Sequence, residues 1–168
     1  MYLERQKAIT KYLDKMLEQN ADLYASRDSN FRKLIKEFKT INESDFEVPQ
    51  SLQRVMRNYQ AHGYKWLRTL AHYSFGGILA DDMGLGKTLQ SIAVLLAAKE
   101  TGETGSSIVV CPASLVYNWQ EEFRRFAPTL KVMLVVGTQK ERAAKIASAA
   151  EYDVLITSYD LFRYGMFC

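Results

Sequence analysis

The residues whose spacing could do chemistry lie mid-chain, in Asp82-Met83-Gly84-Leu85-Gly86-Lys87-Thr88. Gly-Lys-Thr between an apolar run and a strongly helical stretch is the setting in which backbone amides cradle a phosphate chain. Gly84 and Gly86 let the backbone turn tightly and bring its N–H groups close to phosphate oxygens. A helix starting at Lys87 adds unpaired N–H groups and a positive dipole end. In such a loop the Lys87 ammonium bridges the β- and γ-phosphates, and the Thr88 hydroxyl is a Mg²⁺ ligand. The usual pattern has Gly where Asp81 stands, so a strict pattern search passes over this loop. A glycine-rich turn with a surface lysine remains the alternative on these residues alone.

A loop of this kind needs a strand before it and a helix after it. Phe75 to Ala80 reads as a short buried strand, Asp81 to Gly86 as the loop, and Lys87 to Lys99 as the helix. After a Gly/Ser/Thr-rich turn at 101–107, the order continues as a strand at 108–111, a helix at about 113–126 and a strand at 132–136. An alanine-rich helix at 139–150 and a strand at 154–157 follow, with a further helix starting at Leu161-Phe162. Continuous apolar strands separated by helices imply a mostly parallel sheet covered on both faces. Upstream, helices are expected over 2–19, 29–40 and about 52–73, with a polar linker at 41–51.

With these residues in view, Asp81 to Thr88 resembles motif I of Swi/Snf-type ATPases, within helicase superfamily two. That family favours Asp at the first position, so Asp81 supports the resemblance. Met56 to Leu67, containing Gln60, resembles the family's adenine-recognition segment, with Met56 in place of its usual Leu. Cys111-Pro112-Ala113-Ser114-Leu115 through Trp119 and Phe123 resembles motif Ia, and Ile156-Thr157-Ser158-Tyr159 resembles motif Ib. The match spans roughly residues 48–162 in the family's order, and residues 1–47 match nothing assignable.

The resemblance implies a P-loop (RecA-like) three-layer α/β/α fold with a mostly parallel sheet, truncated and preceded by a short helical extension. Residues 1–47 would be that extension, and 48–168 an incomplete first ATP-binding lobe. ATP and Mg²⁺ are the implied cofactors, with Gln60, Asp81, Asp82, Met83, Gly84, Leu85, Gly86, Lys87 and Thr88 binding nucleotide and Thr88 holding the metal. The Gln60 amide could donate to one edge atom of adenine and accept from another; a solvated helix residue is the alternative. Arg57, one turn earlier, could support the pocket, with a surface arginine as the alternative. Ser114, Thr157 and Ser158 follow the carboxyl ends of strands, where ligands of open α/β sheets bind. The resemblance implies contact with one strand of duplex DNA there, against ordinary helix capping as the alternative. Trp66 and Trp119 sit at core-like helical positions and read as packing residues.

Hydrolysis in this class needs an apolar strand ending in Asp-Glu, and no Asp-Glu pair occurs in the sequence. The expectation is therefore a fragment of an ATP-dependent DNA translocase, inactive alone, in which Lys87 is the phosphate contact. The alternative is a catalytically inactive nucleotide-binding or protein-interaction module that docks through residues 1–47. Partners expected through the larger protein are double-stranded DNA and a DNA-bound protein. Sheet edges exposed by truncation invite self-association.

Composition agrees with an ordinary folded protein: 48% of residues are apolar and 24% charged, excluding a disordered tail or a collagen-like chain. The net charge of +3 lies wholly in residues 49–168, too small to argue for nucleic acid. Two cysteines, Cys111 and Cys168, cannot build a metal site or a disulfide framework, and Cys111 reads as a small buried hydrophobe. With no signal-peptide pattern and no apolar run long enough for a bilayer, the expected location is soluble and intracellular, cytoplasmic (nucleoid) or nuclear, with no membrane partner.

Overall fold

Alternation of β-branched runs with amphipathic stretches sets the element order. In the computed structural model, residues 46–103 and 105–163 are described, and the helices expected over 2–19 and 29–40 lie outside them. In chain order the elements are α1 (Asn58–His72), α2 (Lys87–Glu100), β1 (Ser107–Cys111), α3 (Val116–Phe126), β2 (Val132–Leu134), α4 (Gln139–Ala147), β3 (Val154–Ser158) and α5 (Tyr159–Arg163). Short 3₁₀ turns at Gln50–Leu52, Ala113–Leu115 and Ala149–Glu151 join them. The described residues form two compact units, one of Phe46, Glu47 and 65–77, the other of 48–64 and 78–163.

The second unit holds the sheet. Its three strands run parallel in the order β1-β3-β2, so the last strand in sequence is the central one. Ser107 pairs with Val154 and Cys111 with Ser158 on one side of β3; Val132 pairs with Val154 and Leu134 with Ile156 on the other. Every residue of β3 is buried. Met133, Val135 and Leu155 pack on one face against Ile146, Ala149 and Tyr152. Strand alternation sends Val154 and Ile156 to the opposite face, where both are buried. Helix α3, with Val116 and Phe123 buried, packs on β2, β3 and α2.

At the amino end of the sheet, Asp153 acts as a clamp. Its carboxylate accepts from the Lys131 backbone N–H at 2.6 Å and pairs with the ammonium of Lys99 at the end of α2. Lys99 also donates to the Thr129 carbonyl at 3.1 Å. Burial disfavours the charged form of Asp153, but these hydrogen bonds and the charges of Lys99 and Lys131 outweigh it and lower its pKa.

One expectation fails. Phe75 to Ala80 is not a strand, and Ile78 is 86% exposed. The segment leaves α1 through Ser74, whose φ is +57°, and the Phe75 N–H donates to the Leu70 carbonyl at 2.9 Å. A Cβ on Gly77 would stand 2.3 Å from Leu70 Cδ1 and 3.0 Å from Trp66 Cη2, so the backbone itself presses on α1. A strand needs a ladder partner, and two consecutive glycines weaken the preference for one. Among the described residues this run has no such partner, and it stays irregular. The helix expected over 52–73 is likewise shorter, because residues 53–57 form a turn, a bend and irregular chain before α1 begins.

Candidate phosphate-binding site

Three glycine and lysine positions shape the loop. Gly84 and Gly86 have φ of +85° and +75°, the left-handed region that costs other residues about 1–2 kcal/mol. Gly86 is the N-cap of α2 and offers no side chain to the first helical N–H groups. Those groups have no partner within the helix. By contrast, α4 opens on a complete capping box, Thr138 with Glu141. There the Thr138 N–H and hydroxyl lower the pKa of the exposed Glu141. The start of α2 is therefore open where that of α4 is closed by its own carboxylate.

Lys87 reaches back over the loop. Its Nζ donates to the carbonyls of Asp81 at 2.7 Å and Asp82 at 2.9 Å. Asp82, Met83 and Gly84 are exposed, Met83 at 95%, whereas Asp81, Leu85, Gly86, Lys87 and Thr88 are half-buried. An ammonium at the mouth of a glycine loop, beside uncapped helix N–H groups, can meet an anion, and a hydroxyl one residue later can meet its cation. The arrangement fits a polyphosphate with its Mg²⁺.

Gln60 is buried, and its amide works within the chain. As the third residue of α1 it accepts from the Arg57 backbone N–H at 2.9 Å, half of a capping box. Its Nε2 donates to the Leu85 carbonyl at 3.1 Å. A Cβ on Gly86 would lie 2.3 Å from that Nε2. Gly86 is thus required twice, for its φ and for the approach of Gln60. One turn beyond Lys87, the Gln90 side chain is fully buried with no hydrogen-bond partner for either amide atom, pressed where Gly63 lacks a Cβ. The sequence shows both glycines but not what they make room for.

The parallel register puts the carboxyl ends of β1 and β3 side by side, with Cys111 opposite Ser158. Ser114, in the turn after β1, is exposed. Thr157 is 1% exposed and donates its hydroxyl to the Val135 carbonyl at 2.9 Å, while the buried Ser158 hydroxyl accepts from the Leu161 N–H at 3.4 Å. Of the three residues expected at nucleic acid, only Ser114 is exposed; the hydroxyls of the other two bond to the chain just past β2 and to α5. Cys111 is buried, which raises its thiol pKa. Trp66 and Trp119 are half-buried. Among the described residues no cluster of His, Cys, Asp or Glu could hold a metal ion, and no helix is long and apolar enough to cross a membrane.

A family profile described as SNF2-related domain matches residues 59–164, the span carrying this loop and sheet. The chain belongs to the SNF2-related domain family. It is 41% identical over 130 residues to the TATA-binding protein-associated factor mot1 of Schizosaccharomyces pombe, covering 70% of this chain and 7% of that protein. It is 43% identical over 118 residues to Helicase swr1 of Emericella nidulans, covering 68% of this chain and 7% of that protein. The Sulfolobus solfataricus SWI2/SNF2 ATPase core, solved in complex with dsDNA, superposes with a TM-score of 0.62 at 37% identity over 71% of this chain. That superposition covers 25% of the ATPase core, so the chain spans a small part of each relative.

Proposed function

We propose that this chain is the nucleotide-cradling part of the first motor lobe of an ATP-dependent DNA translocase. The observation that carries the reading is the start of α2: a left-handed Gly86 with no side-chain cap, followed by Lys87 whose ammonium is already folded over the loop. Lys87 would exchange its two carbonyl partners for phosphate oxygens, with Gly84 to Thr88 presenting backbone N–H groups and Thr88 its hydroxyl to Mg²⁺. ATP with Mg²⁺, when bound there, would supply the free energy of its hydrolysis to the whole protein. Gln60 would serve the adenine from the position where it also braces Leu85 and Gly86. Ser114 would contact a phosphate of duplex DNA at the carboxyl end of β1, a reading the family supports through the dsDNA complex of the Sulfolobus relative.

In the full-length protein Lys87→Ala should abolish DNA-stimulated ATP hydrolysis, and the present chain alone should hydrolyse none. Retained hydrolysis in Lys87→Ala would sink the phosphate role. An unchanged preference for ATP over GTP in Gln60→Ala would remove the adenine role alone.

A further inference from the structure

Among the described residues no strand lies on the outer edge of β2, and side chains of α4 occupy it. Backbone groups of successive strand residues point to opposite sides. The residues that face β3 are known: the Val135 N–H donates to Ile156, and Lys131 accepts from Asp153 and Val154. The carbonyls of Leu134 and Val136 therefore face outward, away from the sheet. Both are taken by one group. The Nζ of Lys145, in the last turn of α4, donates to Leu134 at 2.8 Å and to Val136 at 3.1 Å. Arg142, one turn earlier on α4, donates from Nη1 to the next carbonyl, Gly137, at 2.7 Å. An unpaired row of strand N–H and C=O groups is a template for another strand, and an inward lysine is a known way to spoil it.

We propose that Lys145 closes the outer edge of β2 against strand addition by a second copy of this chain. The sheet order leaves β1 as the other edge strand among the described residues, with Ile108 45% exposed on it. Addition of β1 from one copy to β2 of the next is a head-to-tail contact that does not close on itself and so propagates. Lys145 denies that contact the carbonyl of Leu134, the last residue of β2, and that of Val136 just beyond it.

The test compares Lys145→Met, which keeps the stem and loses the donors, with Lys145→Arg, which keeps donors. Sedimentation velocity should show the average mass of Lys145→Met rising about twofold or more with concentration, as expected for an open-ended association. Amide exchange at Val132 and Leu134, whose N–H groups face the same edge, should slow in parallel. Lys145→Arg and wild type should show neither change at those amides. A Lys145→Met that behaves as wild type overturns the proposal, as does association without protection of Val132 and Leu134, or equal association of Lys145→Arg. Should Lys145→Met fail to fold, Lys145→Gln is read in the same way; failure of both to fold would assign Lys145 to the core and overturn an edge role.

Discussion

β3 and the run Phe75–Ala80 are both short apolar segments followed by polar site residues, yet one is the centre of the sheet and the other is not a strand. Val154, Leu155 and Ile156 are buried, Ile156 completely; Ile78 is almost fully exposed. The difference is not hydrophobicity but company. β3 has β1 on one side, β2 on the other and Asp153 clamped at its start. The Phe75–Ala80 run has a glycine pair, of which Gly77 lies against α1, and no ladder partner among the described residues. Apolar content makes a strand possible; paired edges make it one.

The widest gap between the two segments should appear on truncation. Ile156→Ala empties a site with packing on all sides and should cost about 3 kcal/mol, read as a lower urea midpoint with an unchanged slope. A loss below about 1 kcal/mol would mean that β3 relaxes around the cavity and is not a rigid centre.

Next comes the loop that follows the Phe75–Ala80 run. Gly86→Ala forces a Cβ into left-handed backbone and toward the Gln60 amide, and should cost about 2 kcal/mol. Gln60→Ala removes the collision but not the backbone strain, so the double variant should lose less than the sum of the singles. Strict additivity would show that Gln60 does not brace the loop.

The clamp on β3 gives a smaller, pH-dependent effect. The folded state keeps Asp153 ionised to lower pH than the unfolded chain does. Its contribution is therefore complete above the ordinary carboxylate range and is lost as pH falls through the lowered folded value. Asp153→Asn should cost about 1 kcal/mol at pH 7, and that difference should begin to shrink only below about pH 4 and vanish once the pH lies below the lowered folded value. A difference that persists in acid would point to packing rather than charge.

Much of this was legible in the residues. The order from the loop onward follows the sequence, since each helix has its period and each strand its β-branched run, and boundaries moved mainly where a 3₁₀ turn replaced a helix end. What stayed hidden depends on contacts between distant positions. Nothing in the spacing tells that Gln60 fills the space beside Gly86, or that Thr157 turns its hydroxyl to Val135 rather than outward. In a strand buried on both faces, alternation no longer marks which side meets solvent. The reading of Phe75–Ala80 failed for the same reason: a run of apolar residues does not name its partner.

That failure sets the smallest test. Ile78→Thr changes an apolar side chain that has almost no cover, so stability should shift by less than about 0.5 kcal/mol, against the large loss at Ile156. Equality of the two losses would collapse the contrast and require Ile78 to be buried in solution. A near-zero shift would leave the loop held from its other end, by Gln60 and the start of α2, with the segment before it contributing chain rather than structure.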